Sequence, residues 1–343
     1  MPYKAWSLTA GMPAAFLNRK RESVHMIDGI INVYKESGFT SHDVVAKLRG
    51  ILKQKKIGHT GTLDPEAQGV LPICLGKATK VCDLLTEKQK TYQAVLLLGC
   101  TTDTQDTTGT VLREQEVCCT EEEVSACISS FLGEQDQIPP MYSALKVNGK
   151  KLYELARQGV EAERKARRIT IEKIEIDKIC LPEVVMTVTC SKGTYIRTLC
   201  HDIGEKLGCG GCMKSLLRTQ VGPFELSDSV RLSEIEAYRD AGNLDAIVKS
   251  TDSVFGHFGA LYLTKPAERL VRNGNPLGSE MLPGCLFLPA EQSETFLLEQ
   301  GMKYETEIFQ NSPVRVYGVD HTFLAVYEWK EAKNCLKAVK MFL

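Results

Sequence analysis

Apolar positions in the first hundred residues change from a strand-like run to a helical stripe and back to a strand. Residues 27–33 (IDGIINV), rich in Ile and Val, predict a first strand. Thr40, with Asp43 three residues later, matches a variant of the capping box and predicts a helix N-terminus. One apolar helical face follows, formed by Val44, Val45, Leu48, Ile51 and Leu52. Residues 92–100 are too apolar for a half-exposed strand, so they predict a central strand.

Two alternating runs and a helix are predicted in the middle of the chain. Residues 169–176 alternate as a strand does, but the parity changes once, so a bulge or turn is expected. Residues 184–190 form a second alternating run, and residues 196–207 carry a helical apolar stripe. Tyr195 and Arg197 therefore lie at a strand-to-helix junction, where side chains can project into a cleft.

The pattern changes near residue 250. One short helix over residues 266–272 is followed by short strands separated by turn residues. These strands are predicted at Cys285–Leu288, Tyr304–Phe309, Val314–Val319, Phe323–Trp329 and Leu336–Phe342. This spacing is typical of a small β-barrel-like module. We therefore expect a mixed α/β body over residues 26–250 and a β-rich module over residues 251–343.

The first 25 residues lack clear periodicity. They are either a disordered leader or the result of a start codon assigned upstream of Met26. Their apolar run is interrupted by Pro13, and the basic residues lie on the wrong side of it for a secretory signal. No stretch of the chain approaches 18 consecutive apolar residues. We therefore expect a disordered extension at residues 1–25, no export and no membrane span.

Composition narrows the class of protein. With 43% hydrophobic and 25% charged residues, the chain resembles an ordinary globular protein rather than a disordered one. Because the formal net charge is -1, any surface for a polyanion must come from local clusters. Thirteen cysteines, an odd number without an export signal, favour a reduced, cytoplasmic protein. The Cys-x-x-Cys at Cys209 and Cys212 has no second pair at zinc spacing, so we interpret these residues as packing residues.

The helix after Thr40 is followed by a long Gly- and Pro-containing segment, residues 58–76, which begins with GHTGTLDP. A P-loop is excluded, because Gly69 and Gly76 enclose six residues rather than four. A Rossmann fingerprint is absent as well. Asp64 is then a lone carboxylate, and no paired-carboxylate glycosidase site is visible in this window. Taken alone, an Asp before Pro is typical of a turn.

Several short motifs occur in order along the chain: GIINVYK (29–35) with GFTS (38–41), GHTGTLDP (58–65) with GVLP (69–72), KTY (90–92), TDTQD (102–106), PPMYSALK (139–146), GTYIR (193–197) and LLRT (216–219). Together they resemble the bacterial TruB family of tRNA pseudouridine synthases, over about residues 27–230. Glu36 stands where the family usually has Pro. The C-terminal module resembles the family's PUA-type RNA-binding module more loosely, chiefly through RNGNPL (272–277) and the strands after it.

The resemblance implies both a fold and a reaction. The fold is that of pseudouridine synthases, with a mixed, largely antiparallel central sheet, followed by a small β-rich PUA-like domain. The family isomerises uridine 55 in the T loop of tRNA without cofactor or metal. In this reaction the C1′–N1 bond breaks, the base rotates, and C5 is joined to C1′. A carboxylate must act as nucleophile or as base, and the resemblance assigns this role to Asp64 while leaving both options open.

The resemblance also assigns neighbours to Asp64. Arg197 matches the Arg that pairs with the catalytic Asp and would keep it ionised. Tyr92 matches the Tyr that stacks on the target base. Tyr195 matches a second active-site Tyr, involved in proton handling at C5, and Leu216 matches a residue that packs against the base. Without the resemblance, these residues would be interpreted as a surface Arg, two structural tyrosines and a core Leu.

Three further residues are assigned by the same resemblance. The target uridine must be flipped out of its loop to reach a catalytic acid. His59 matches the His that enters the vacated space in the RNA. Asp106 is expected to order the site. Lys35 is expected to contact either the backbone of the catalytic loop or the RNA, or to be merely solvated.

Basic residues form three clusters: Lys53, Lys55 and Lys56 before the catalytic loop, Lys77 and Lys80 after it, and Arg164, Lys165, Arg167 and Arg168 further along. Such clusters are either solvated faces or contacts to phosphate. Because the first cluster runs directly into the catalytic loop, we expect Lys55 and Lys56 to bind the RNA substrate.

The resemblance therefore implies a stand-alone tRNA pseudouridine-55 synthase that binds the T arm, and we expect it to act as a monomer without a protein partner. A guide-RNA-dependent relative from ribonucleoprotein particles is the nearest alternative, disfavoured by the bacterial-type layout without a long basic tail. An RNA chaperone acting through the same surface is an alternative from another class. A hydrolase of small glycosides would need a second placed carboxylate.

Overall fold

The computed structural model describes residues 26–147, 149–290, 296–298, 309 and 312–343. The predicted extension at residues 1–25 and all but the last residue of the predicted strand at 304–309 lie outside the described residues. The strands described are β1 (Gly29–Lys35), β2 (Ile57–His59), β3 (Gln68–Leu75), β4 (Lys90–Leu98), β5 (Cys100–Thr102), β6 (Val111–Glu114), β7 (Gly133–Gln137), β8 (Lys146–Val147), β9 (Lys150–Lys151), β10 (Arg167–Cys180), β11 (Glu183–Cys190), β12 (Gly211–Val221), β13 (Phe224–Glu225), β14 (Val248–Lys249), β15 (Gly259–Tyr262), β16 (Leu277–Gly278), β17 (Leu286–Leu288), β18 (Phe296–Leu297), β19 (Val314–Tyr317), β20 (Phe323–Lys330) and β21 (Cys335–Met341). The α-helices described are α1 (Ser41–Leu52), α2 (Cys82–Thr86), α3 (Glu121–Ser129), α4 (Leu152–Ala156), α5 (Ile196–Lys206), α6 (Leu232–Asp240) and α7 (Lys265–Arg272).

The larger sheet has the strand order β14-β1-β3-β12-β4-β11-β10-β7, with β2 added to β3 and β13 added to β12. Among its described strands, β12 and β3 run parallel, and the other neighbours run antiparallel. Helices α3 and α5 pack on one core cluster with β4, β10 and β11, while α1 and α6 pack on another with β1 and β3. The predicted mixed, largely antiparallel α/β class is confirmed, and β4 occupies the central position predicted for residues 92–100.

Local predictions near the site are also confirmed. The Thr40 hydroxyl accepts a hydrogen bond from the Asp43 N–H at 3.1 Å, and the Asp43 carboxylate accepts one from the Thr40 N–H at 2.8 Å. The register of β10 against β11 shifts between Ile171 and Lys173, which explains the single change of parity within residues 169–176. Tyr195 stands at the N-cap of α5, shortly after β11, at the predicted strand-to-helix junction.

No strand was predicted in the Gly- and Pro-containing segment at residues 58–76, but its second half is the buried strand β3. Pro72 argued against a central strand here, because proline within a sheet is normally found only in edge strands, at the first residue of a strand or at bulges. The Pro72 carbonyl accepts a hydrogen bond from the Thr60 N–H at 3.2 Å, on the side facing the loop. The carbonyl and nitrogen of one strand residue point the same way, so the missing N–H faces the loop and not β1. Strand β12, also in this sheet, was not predicted.

The smaller sheet has the strand order β16-β21-β20-β19-β15-β17-β18. Val326 and Phe342 from this part of the chain share a core cluster with Ile30 and Val221 of the larger sheet, so apolar contacts join the two. The division into domains at residue 250 stays a prediction.

The structure also bears on the state of the cysteines and on whether a helix could span a membrane. All thirteen cysteines lie in the described part and are free thiols, with Cys209 and Cys212 buried in the core. No group of three or more His, Cys, Asp or Glu side chains in the described ranges is placed to hold a metal ion. The helices described are all too short or too polar to cross a membrane.

Candidate active site

Asp64 and Arg197, far apart in the sequence, form an ion pair at the centre of the candidate site. Arg197 Nε lies 2.9 Å from Asp64 Oδ2, and Arg197 Nη2 lies 3.3 Å from Asp64 Oδ1. The Arg197 side chain is 5% exposed, whereas the Asp64 side chain is 39% exposed. A two-point contact of this kind fixes the direction of the carboxylate as well as its charge. The acid therefore faces solvent on one side and a fixed cation on the other.

Arg197 is itself held by the loops around it. Its Nη1 donates to the Thr104 carbonyl at 2.9 Å, and its Nη2 donates to the Tyr142 carbonyl at 2.8 Å. Asp106 Oδ2 lies 3.5 Å from Arg197 Nη1. Asp106 Oδ1 in turn accepts hydrogen bonds from the side chain of Thr104 and from Thr108. The guanidinium thus has little freedom to rotate away from Asp64.

The surroundings of Asp64 act on its pKa in opposite directions. Burial among protein atoms raises the pKa of the Asp64 carboxyl, and the nearby Asp106 raises it further. Arg197 and Lys35 oppose this effect, because they stabilise the ionised form. The exposed fraction of the side chain shows that one face of this carboxylate stays open. The net direction is upward, so the cation facing Asp64 limits the effect of burial without reversing it.

Lys35 holds the loop that carries Asp64. Its side chain is fully buried, and its ammonium donates to the main-chain carbonyls of Glu36, Pro65 and Ala67 at 3.1, 2.8 and 2.5 Å. Burial lowers the pKa of Lys35 to about 8, while Glu66 and Asp64 act against this shift. Of the alternatives left open by the sequence, the structure therefore places Lys35 on the loop backbone.

Both candidate tyrosines are close enough to Asp64 for its charge to act on their phenols. Tyr92 lies on β4, and Tyr195 is held at its main chain by Gln137, through bonds of 2.8 and 3.0 Å. Burial raises the pKa of both phenols, and the Asp64 charge contributes in the same direction. Leu216 of β12 lies opposite Ala94 of β4 and packs against the same core cluster as Tyr92.

His59 lies at the start of the same loop but has no described contact with Asp64. Its ring meets the His42 ring edge-on, with centroids 5.6 Å apart, and its Nδ1 accepts a hydrogen bond from the Gly61 N–H at 3.4 Å. Burial lowers the pKa of His59, and His42 adds to this effect, so the neutral ring is favoured.

The basic clusters differ in how far they are neutralised. Lys55 and Lys56 are exposed and form no ion pair with a described residue. Arg168, by contrast, lies near Glu134 and Asp136, at 3.4 and 3.5 Å. Three further members have polar partners: Lys77 pairs with Asp28, Lys80 donates to the Met341 carbonyl, and Arg164 pairs with Glu161. Lys165 and Arg167 are also exposed without an ion pair among the described residues, so unpaired positive charge remains both before the loop and in the third cluster.

Sequence reasoning did not single out Arg218, which it quoted only as part of a motif. This side chain is 1% exposed, and its Nε donates to the Val70 carbonyl at 2.7 Å. One available signal was a charged residue directly after Leu216 and Leu217 in LLRT. That signal was not used because strand β12 was not predicted.

Two family models match consecutive stretches of the chain. Residues 49–196 match the family model described as TruB family pseudouridylate synthase, N-terminal domain. Residues 197–255 match the model of the tRNA pseudouridylate synthase B C-terminal domain. A protein from Lachnoclostridium phytofermentans named tRNA pseudouridine synthase B is 50% identical over 327 residues, which cover 92% of this chain and 100% of that protein. A protein of the same name from Clostridium kluyveri is 52% identical over 67% of this chain and 79% of its own length.

Two solved structures are similar in fold. The structure titled "Crystal Structure of a Cbf5-Nop10-Gar1 Complex" contains a chain with 26% identity and a TM-score of 0.65, covering 92% of this chain and 85% of that one. The structure titled "Structure of H/ACA RNP bound to a substrate RNA containing 2'-deoxyuridine" gives 24% identity, a TM-score of 0.64 and the same coverage, and shows the fold alone.

The fold, the family models and the relatives together define a pseudouridylate synthase, which is an isomerase. More narrowly, the chain belongs to the TruB family, because it covers a relative at 50% identity over that protein's whole length.

Proposed function

We propose that this protein isomerises uridine 55 in the T loop of tRNA to pseudouridine, with Asp64 as the catalytic group. The observation that carries the proposal is the partly exposed Asp64 carboxylate, held at two points by the buried Arg197. The relatives at 50% and 52% identity, both named tRNA pseudouridine synthase B, support tRNA as the substrate.

Asp64 is suited to either role that the chemistry allows. As a nucleophile it attacks C1′ while the C1′–N1 bond breaks, and the bond electrons leave with the uracil ring. As a base it removes a proton from the ribose while the C1′–N1 bond breaks and its electrons leave with the ring, and it returns that proton to the sugar when C5 joins C1′. In both cases the ionised carboxylate is needed, and Arg197 favours that form.

The detached uracil must rotate while it stays in the site, so its walls matter as much as the acid. Tyr92 offers an aromatic face for stacking, and Leu216 adds apolar contact beside it. Tyr195 is the group that takes part in removing the proton from C5 after C5 has joined C1′, while N1 of the ring takes up a proton. Lys35 and Asp106 hold the loop and Arg197, respectively, and touch no reacting atom.

RNA binding is proposed for the surface before the loop. His59 enters the space left by the flipped nucleotide, and Lys55 and Lys56 contact phosphates of the T arm. The β-rich residues 251–343 form a PUA-like RNA-binding domain attached to the catalytic domain at residues 26–250. The protein acts as a monomer in the cytoplasm, where tRNA is processed.

A T-arm stem-loop RNA tests the proposal. Pseudouridine is detected by mass spectrometry of the nucleosides after cyanoethylation, and its position is read from the fragment masses. We expect modification at position 55 with the wild-type protein and none with Asp64→Asn, because an amide cannot act as nucleophile or base. Asp83→Asn, at an exposed position on α2, is the matched control and should retain full activity. Equal yields from Asp64→Asn and wild type would remove Asp64 from the mechanism.

A further inference from the structure

Arg218 lies where three strands of the site meet. On β12 it is the cross-strand partner of Gly69 on the parallel strand β3. On the other side of β12 it is the partner of Tyr92 on β4. Directly opposed residues project from the same face of a sheet, so Arg218 and Tyr92 share a face. One residue therefore links the strand that leaves the Asp64 loop with the strand that carries Tyr92.

The backbones of β3 and β12 approach very closely at this point. Gly69 has a φ of +104°, and a Cβ added there would lie 2.2 Å from the Arg218 carbonyl oxygen. A side chain at position 69 would therefore separate the two strands. The contact makes the position of Arg218 sensitive to the position of the Asp64 loop, which ends where β3 begins.

The Arg218 side chain is buried without a carboxylate partner in the described part of the chain. Its Nε donates to the Val70 carbonyl at 2.7 Å, and its Nη2 has no described hydrogen-bond partner, while Tyr92 lies directly opposite it on β4. Its Nη1 lies 3.8 Å from the place of a Cβ on Gly61, under the loop. A buried cation that lacks an anion destabilises a fold, because desolvation is not repaid by ion pairing. Stability alone therefore does not explain why an arginine is buried at position 218.

We propose that Arg218 is a positioning residue, which fixes the Tyr92 ring relative to the Asp64 loop by binding the Tyr92 hydroxyl and the Val70 carbonyl at once. Tyr92 can rotate about its side-chain bonds, and a bond at its far end removes that freedom. The ring then presents one face at a set distance from the carboxylate. The inference rests on the proposed function, because it concerns how the target base is held while its glycosidic bond is broken.

The test is a double-mutant cycle on the single-turnover rate of pseudouridine formation at saturating enzyme. The variants are Arg218→Lys, Tyr92→Phe and both together. Arg218→Lys keeps the charge but cannot reach both acceptors, and Tyr92→Phe keeps the ring but removes the hydroxyl. We expect each single variant to slow the reaction roughly 10- to 100-fold. The double variant should be no more than about threefold slower than the slower single variant, because both changes break one interaction.

The RNA concentration that gives half of the maximal single-turnover rate distinguishes a positioning role of Arg218 from a role in RNA binding. We expect it to change less than about threefold in all three variants, since phosphate contacts lie elsewhere. Ile128→Ala on α3 is a matched control, because removing this buried side chain lowers the stability of the part of the chain that holds the larger sheet. It should lower the melting temperature and leave the rate unchanged.

Two results would overturn the inference. If the rate losses of the single variants multiply in the double variant, Arg218 does not act through the Tyr92 hydroxyl. If Tyr92→Phe alone reacts at the wild-type rate, the hydroxyl bond is irrelevant, and this result stands even if Arg218→Lys fails to fold. A wild-type protein that forms no pseudouridine in the T arm would instead contradict the proposed function and not this coupling.

Discussion

Lys35 shows how a single buried charge can order a loop. Three main-chain carbonyls surround its ammonium, two of them on the residues just after Asp64. Carbonyl oxygens carry only partial charge, so they do not fully replace the water that the ammonium loses on burial. The result is a lysine with a pKa lowered to about 8, in a structure that uses all three donors of the side chain.

We predict a distinct pH dependence of stability from Lys35. Because its native pKa of about 8 lies below the ordinary 10.5, the unfolded chain binds more protons at Lys35 between these values. Its contribution to stability is therefore complete above pH 10.5 and is lost as the pH falls through 8. Relative to Lys35→Met, the free energy of unfolding of the wild type should rise by up to about 3 kcal/mol between pH 8 and 10.5.

Urea denaturation at pH 7.5, 9 and 10.5 measures this difference, in which the titrations of tyrosines and thiols common to both proteins cancel. Lys173→Met, at an exposed position on β10, is the control and should show no such trend. A wild-type minus Lys35→Met difference that stays constant with pH would show that Lys35 titrates normally.

At the scale of elements, α1 supports the catalytic loop through its first turn. The capping box at Thr40 sets where the helix begins, and Ser41 is its first residue. The Ser41 hydroxyl accepts a hydrogen bond from the Leu63 N–H at 2.9 Å, next to Asp64. The position of the helix N-terminus therefore bears on the position of the catalytic acid.

We predict that Thr40→Ala lowers the free energy of unfolding by about 1 kcal/mol, because the Asp43 N–H loses its acceptor. Thr40→Ser keeps the hydroxyl and should cost much less. Chemical denaturation of the three proteins measures the effect, and single-turnover rates show whether the loop has moved. Equal stability of Thr40→Ala and Thr40→Ser would mean that the cap contributes nothing.

At the scale of the whole molecule, the location of the positive charges matters more than the net charge. The formal net charge is -1. Several residues of the basic clusters already form ion pairs with acids, as Arg168 does with Glu134 and Asp136. Lys55 and Lys56 remain exposed close to the loop. A polyanion is therefore expected to be attracted by this local cluster and not by the average charge.

We predict that changing Lys55 and Lys56 to Ala weakens T-arm RNA binding and reduces the slope of log affinity against log salt by about 1 to 2. Because each phosphate contact releases a counterion when the RNA binds, the variant that lacks two contacts releases fewer counterions on binding. Binding titrations between 50 and 200 mM salt give the slope. Changing Lys173 and Lys178 to Ala removes the same charge from exposed positions on β10 and should leave the slope unchanged. An unaltered slope in the Lys55 and Lys56 variant would refute the assignment.

Much of the fold was predictable because its signals are local. The Thr40 cap, the buried face of α1 and the parity change in β10 all depend on residues within a few positions of one another. Strand β3 was missed because Pro72 is tolerated only where its nitrogen faces the loop, and that depends on the position of Thr60. The residues of the candidate site came from motifs in order, and their roles remain proposals.

The sequence by itself determined the periodicity of the elements, the helix caps and the family resemblance that singles out Asp64. Tertiary structure alone decided that Arg197, 133 positions away, meets Asp64, and that Lys35 and Arg218 are buried beneath the site. The physical reason is that desolvation and ion pairing depend on neighbours in space. A lysine or arginine has the same chemistry at every position in a sequence, and only the packing around it sets its charge and its freedom to move.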